Sequence, residues 1–218
     1  MSGRYKTDPY VAHLVPWILQ SGRELKANRK QAETFLKALD GDHLQFSFRT
    51  FSDSAYTRRG VLDPLEKALH GTLSSCWERL VRLSDEGAAI TVTINQTNGI
   101  GRRVKDICRV RAIFIDDDLG GDEQRFTVQP HIRVETSPNH FHYYWRVESL
   151  PLNDFQHCQQ SLAKRYQGDS RVQALNQAMQ LPGFWRRKRL TSPRLSRVMA
   201  ISNTPPLDIR SIEKLVGV

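Results

Sequence analysis

Three consecutive aspartates, Asp116, Asp117 and Asp118, close an apolar run over residues 109–115, and no other feature of the chain restricts its fold as much. Val110, Ile113, Phe114 and Ile115 are β-branched or aromatic and read as a buried strand. Side chains alternate along a strand, so Asp116 and Asp118 share one face while Asp117 takes the other. Carboxylates on one face repel, by roughly 4 kcal/mol at about 4 Å and an effective dielectric near 20. Hard divalent cations such as Mg²⁺ or Mn²⁺ relieve that repulsion and prefer oxygen ligands. The plain alternative is a solvated acidic strand end running into the Gly120-Gly121 turn.

The net charge is +9 over 218 residues, which favours a polyanionic partner, nucleic acid first. Basic residues gather at Arg102, Arg103 and Lys105, at Arg109 and Arg111, over Arg186, Arg187, Lys188 and Arg189, and at Arg194 and Arg197. Cys76, Cys108 and Cys158 are far apart and form neither a disulfide framework nor a zinc spacing. No apolar stretch approaches the ~20 residues of a membrane span, and the N-terminus lacks the apolar core of a signal peptide. A cytoplasmic location without membrane contact is expected.

The remaining pattern alternates helices and strands. Residues 9–39 carry helical stripes, with Val11, Leu14, Val15, Ile18 and Leu19 in one and Ala32, Phe35, Leu36 and Leu39 in the other. Residues 44–51 alternate as a half-buried strand. Asp63-Pro64 predicts the start of a helix bearing Leu65, Leu69, Leu73, Leu80 and Leu83, interrupted near Gly71. Residues 90–94 form the next strand, and 131–136 with 140–147 a strand pair around Pro138. Asn153 and Asp169 are expected helix caps, the second ahead of Val172, Leu175 and Met179. A strand over 195–201 and a short helix near 208–215 close the chain. The expected fold class is α+β, helices on one side of a largely antiparallel sheet.

Strand alternation puts His140, His142, Tyr144 and Arg146 on one face, expected to be open, and Phe141, Tyr143, Trp145 and Val147 on a core face. A histidine beside a carboxylate-bearing strand could hold a triphosphate or a metal. Gly99-Ile-Gly101-Arg102-Arg103 could cradle phosphate, although the full phosphate-loop pattern is missing.

Taken together these residues resemble the plasmid and phage RepB-type DNA primases of the archaeo-eukaryotic primase (primase-polymerase) superfamily. The resemblance spans residues 31–204. It is carried by Phe46-Ser-Phe-Arg-Thr-Phe-Ser-Asp53, Gly87-Ala-Ala-Ile-Thr-Val-Thr-Ile-Asn95, Asn98-Gly-Ile-Gly-Arg102, the strand ending in Asp116-Asp117-Asp118, Glu135-Thr-Ser-Pro138 with His142, and Gly168-Asp169 before Leu181-Pro-Gly-Phe184. It implies an RRM-like catalytic core over residues 41–204, with an N-terminal helical extension over 1–40 and a C-terminal helix over 205–218. It also implies that Asp116, Asp118 and Asp169 hold two Mg²⁺ or Mn²⁺ ions for nucleotidyl transfer. His142, Arg102 and Lys188 would bind the nucleotide, and Arg103, Arg186, Arg187 and Arg189 the single-stranded DNA template. Gln180 departs from the pattern, because the family commonly has arginine before Leu-Pro-Gly.

The implied partners are single-stranded DNA, nucleoside triphosphates and a separate replicative helicase, since no complete GxxxxGK[ST] motif occurs. Two alternatives stay open. His140-Phe141-His142 is also the metal-binding pair of a rolling-circle initiator or relaxase, with Tyr166 as nucleophile. A non-catalytic nucleic-acid-binding domain would need only the basic clusters.

Overall fold

In the computed structural model of the chain, residues 25–53, 62–187 and 193–217 are described. Four strands, β1 (Phe46–Ser52), β2 (Lys67–Gly71), β3 (Ala88–Thr93) and β9 (Ala178–Gln180), form an antiparallel sheet in the order β2-β1-β3-β9. A second antiparallel sheet joins β6 (Ala112–Asp117), β7 (Ile132–Ser137), β8 (His140–Arg146) and β12 (Arg197–Ile201) in the order β12-β7-β8-β6. Two short pairs, β4 (Gln96–Thr97) with β5 (Ile107–Arg109) and β10 (Trp185–Arg186) with β11 (Arg194–Leu195), brace the connections.

Four α-helices occur among the described residues: α1 (Arg29–Leu39), α2 (Leu73–Asp85), α3 (Leu152–Tyr166) and α4 (Ile209–Val216). Asn28, Thr72 and Asp208 cap α1, α2 and α4 by accepting a backbone N–H three residues on. In α1, Ala32, Phe35, Leu36 and Leu39 recur at helical spacing and are buried. The Phe35 ring meets Tyr144 of β8 edge-on at 5.2 Å. The Asn28 N–H donates to the Gly183 carbonyl at 2.7 Å, and Gln31 Oε1 accepts the Val198 N–H at 2.6 Å. From Asn28 onward the expected N-terminal extension is therefore part of the core. The helix expected from residues 9–24 lies outside the described residues. Helix α2 lies against β1, β2 and β3. No helix among the described residues is long and apolar enough to cross a membrane.

Several expected elements change in the fold. Residues 65–71 form no helix, because Asp63 is held to β1. Its carboxylate accepts the Ser52 N–H at 2.7 Å and hydroxyl at 2.6 Å, and the Leu65 N–H at 2.9 Å. The chain leaving that turn enters the sheet as β2, and the helix begins only after Thr72. Helix α3 starts at Leu152, so Asn153 lies in its first turn rather than at the cap. The strand expected over 195–201 breaks at Ser196, whose N–H and C=O bond Phe184 and Gly183 instead. The run over 109–115 divides at Val110 and Arg111, because the Arg111 N–H donates to Asn95 Oδ1 at 3.1 Å rather than to a strand partner.

Arg111 explains that division. Its guanidinium is buried over the Phe46 ring, 4.4 Å from the centroid. Nε donates to Asp40 at 2.6 Å, and Nη2 to the carbonyls of Gln45 at 2.9 Å and His43 at 3.3 Å. Arg109 adds a second contact to Asp40 at 2.5 Å. These two arginines, which belong to a basic cluster in the sequence, thus hold Asp40 at the end of α1. The Arg111 and Asp40 side chains are only 1% and 7% exposed. Burial works to raise the Asp40 carboxyl, but the Arg111 hydrogen bond and the charges of Arg111, Arg109 and His43 prevail and hold it below its usual range. Removing one member of a buried pair strands the other charge and costs about 3–5 kcal/mol. Asp40→Ala should lose that much in urea unfolding. The depressed carboxyl contributes stability that is present above its unfolded pKa of about 3.9 and is lost as pH falls through the folded value. Acid titration of the wild type should therefore show a loss of stability in that window that Asp40→Ala lacks.

Candidate active site

The candidate site lies where β6 runs out of the second sheet. Strand alternation sends Asp117 inward, where it is fully buried. There it pairs with Arg125 at 2.8 Å and accepts the Leu119 N–H at 3.0 Å. Asp116 and Asp118 point the other way. Asp116 Oδ1 lies 3.4 Å from His142 Nε2, and Asp118 Oδ1 lies 2.6 Å from His140 Nδ1. The register explains both pairs, because Asp116 stands opposite His142 in the β6-β8 ladder.

The histidine face of β8 is not open at its centre, since His142 and Tyr144 are both buried. His142 Nδ1 is 3.1 Å from the Tyr144 hydroxyl. Burial pushes the Tyr144 phenol well above its ordinary pKa, so its proton stays on. The Tyr144 contact at Nδ1 leaves Nε2 facing Asp116. Burial raises the Asp116 carboxyl, but the hydrogen-bonding contact and charge of His142, with the charge of Arg186, outweigh it and the neighbouring Asp169. The group is held below the usual carboxylate range and is ionised near neutral pH.

Asp169 reaches the same place by its backbone. β6 is an edge strand, and α3 covers its free side. Gln159 Oε1 accepts the Phe114 N–H at 3.2 Å, and its Nε2 donates to the Phe114 and Val172 carbonyls. The chain leaves α3 through Gln167 in the left-handed region, φ 55°. Gly168 follows, where a Cβ would meet Ile115 Cγ2 at 2.9 Å. That close approach lets the Asp169 N–H donate to the Asp116 carbonyl at 3.1 Å. Asp169 heads no helix: its Oδ1 accepts the Arg171 N–H at 2.9 Å in a tight turn, and the chain then pairs with β3 as β9. The Arg171 guanidinium also grips both carboxylate oxygens, Nη2 to Oδ2 at 2.8 Å.

Asp116, Asp118 and Asp169 offer the hard oxygen donors that Mg²⁺ or Mn²⁺ prefers, and an ionised Asp116 suits a cation. Each carboxylate has its own protein cation or imidazole. Among the described residues no group of three or more His, Cys, Asp or Glu side chains stands at ligand spacing. A metal would have to release the Asp118–His140 and Asp169–Arg171 contacts.

The basic residues divide. Arg186 lies 4.0 Å from Asp53 and acts on Asp116. Arg187 turns inward, its side chain donating to the Ser84 carbonyl at the end of α2, so it is a structural cation rather than a template contact. Arg102 stands near Arg49 and Glu66 on the first sheet, and Arg103 is exposed at the neighbouring turn. Lys188 and Arg189 lie outside the described residues. Tyr166 is no free nucleophile: its hydroxyl donates to the Leu215 carbonyl at 3.0 Å and meets Thr127 Oγ1 at 2.9 Å. Sequence reading gave no role to Gln159, Arg171 or Tyr144, although strand alternation had already put Tyr144 on the His142 face.

Residues 91–198 match the RepB DNA-primase N-terminal domain family. Among solved structures, the primase-polymerase domain of cyanophage S-2L superposes with a TM-score of 0.68 at 18% identity, covering 87% of this chain and 98% of that one. Primase RepB′ gives 0.64 at 16% identity, covering 86% of this chain and 61% of that one. The catalytic domain of primase RepB′ in complex with initiator DNA gives 0.61 at 16% identity, covering 86% and 92%. These likenesses show a shared fold. A search of curated protein sequences finds no match.

The covered edge of β6 can be tested directly. Gln159→Leu strands the Phe114 N–H and C=O, at about 1–3 kcal/mol for each buried orphan. The expected result is a lower unfolding midpoint and faster hydrogen exchange at the Phe114 amide.

Proposed function

We propose, from the match of residues 91–198 to the RepB DNA-primase N-terminal domain family, that the chain is a primase-polymerase of a mobile replicon. In this reading it joins nucleoside triphosphates on single-stranded DNA at the site formed by Asp116, Asp118 and Asp169. The observation that carries the reading is the meeting of Asp169 with Asp116 across the edge of β6, beside His142. Two divalent ions held by the three carboxylates would activate a 3′-hydroxyl and neutralise the charge that develops on the phosphates.

The chain's own groups supply position and electrostatics, which is most of what phosphoryl transfer needs. Asp116 is kept ionised by His142 and Arg186. His142 is fixed by Tyr144 and aims Nε2 at the strand end, where it would hold a phosphate of the incoming nucleotide. Arg186, part-exposed and acting on Asp116, would accept phosphate charge or guide the template. Arg103, Lys188 and Arg189 would add positive charge for the template strand. Strand separation would fall to a helicase supplied separately. The catalysis would be cytoplasmic.

Tying up the Tyr166 hydroxyl disfavours the tyrosyl nicking alternative. A merely DNA-binding domain would bind the strand and incorporate nothing. The test is nucleotide incorporation on bare single-stranded DNA with Mg²⁺ or Mn²⁺. Asp116→Ala and Asp118→Ala should each lower it by at least about 100-fold while retaining strand binding. Tyr166→Phe should remain active and form no covalent DNA adduct on a denaturing gel. Asp117→Ala should act through stability, because it strands Arg125. A folded wild type that binds single strands and never incorporates would sink the proposal.

A further inference from the structure

We propose that Arg171 is a displaceable counter-cation of the acidic site, holding Asp169 while the site is empty and turning to the polyphosphate of a nucleoside triphosphate once Asp169 engages a metal ion. The inference rests on the reading of Asp169 as a metal ligand.

Its geometry is that of a pair built to separate. Arg171 Nε lies 3.0 and 3.1 Å from the two Asp169 oxygens, and Nη2 lies 2.8 Å from Oδ2. The fork therefore covers the edge of the carboxylate that a cation would approach, so the two compete for one position. The Arg171 side chain is 86% exposed and that of Asp169 only 18%. The arginine can leave into water with little desolvation change, while Asp169 stays put. Its backbone is tied on both sides, by its N–H to the Asp116 carbonyl and by its C=O to the Val172 N–H. Exposed ion pairs add little stability, so a divalent ion can displace this one.

Arg125 behaves differently. It is sequestered against fully buried Asp117 and has no such freedom. Arg171 lies close enough to Asp116 and Asp118 to feel their charge, so a polyphosphate bound over those acids would stand within reach of the released guanidinium. Guanidinium offers phosphate the same planar two-donor fork that it offers carboxylate. A triphosphate bound over the metals would then give it a new anionic partner, and the empty site would be spared the repulsion between bare carboxylates.

Mn²⁺ binding to the full chain, followed by electron paramagnetic resonance without nucleotide, separates the possibilities. Arg171→Ala should bind Mn²⁺ more tightly than the wild type, by about two- to five-fold for loss of an exposed competitor. With Mn²⁺ saturating, the same variant should bind a non-hydrolysable nucleoside triphosphate about ten-fold more weakly. Arg171→Lys should lie between the two in both measurements. Asp169→Ala should lose Mn²⁺ affinity. If Asp169→Ala binds Mn²⁺ like the wild type, the metal-ligand reading fails and takes this inference with it. If Asp169→Ala is impaired while Arg171→Ala leaves Mn²⁺ affinity unchanged or weaker, this inference alone fails.

Discussion

A single buried cation decides how the two sheets meet. The Arg111 guanidinium takes the Asp40 carboxylate at the end of α1 and the carbonyls of His43 and Gln45 that lead into β1. Its backbone N–H takes Asn95, just beyond β3, and its carbonyl accepts the Val147 N–H after β8. Elements of both sheets thus converge one residue before β6 begins. A buried charge tolerates little misplacement, because its desolvation is offset only while each partner stays within hydrogen-bonding distance. From that anchor β6 advances about 3.3 Å per residue, so Asp116 stands about 17 Å further along the strand.

The far end of β6 is governed by its open edge. An unpaired strand edge invites association with other chains, and here α3 closes it with the Gln159 amide. The segment that continues this cover, through Gly168, also delivers Asp169. Protection of the edge and assembly of the acidic site are therefore one structural device. Each carboxylate there has a distinct partner: His142 for Asp116, Arg125 for Asp117, His140 for Asp118 and Arg171 for Asp169. Like charges gather because none of them is left bare.

Several of the chain's cations hold the fold together instead of facing solvent. Arg111 and Arg187 are buried against carbonyls and acids. Arg146 donates to the Thr204 carbonyl, and Arg165 to the carbonyls that end α4. Guanidinium groups with several donors suit such carbonyl-rich joints. Among the described residues of the sequence's basic clusters, Arg103 is exposed, and Arg186 is part-exposed near the acids.

Much was legible in local pattern. The alternation that separates Asp117 from Asp116 and Asp118, the hairpin at Pro138 and the capped helix after Asp208 depend on neighbours along the chain, and so does the family resemblance carried by short motifs. Asp63-Pro64 misled because the signals that start a helix also make a turn, and only the Ser52 contact across the sheet chooses between them. Asp169 shows the same limit: an aspartate before an apolar stretch reads as a cap, yet pairing of Ala178–Gln180 with β3 withdraws the residues the helix would need. The sequence by itself determined which residues carry charge and which face of each strand they take, since those follow from chemistry and a period of two. Only the tertiary structure decided which arginines turn inward, that Tyr166 is engaged elsewhere, and that Asp169 meets Asp116, because each depends on a contact between segments tens of residues apart.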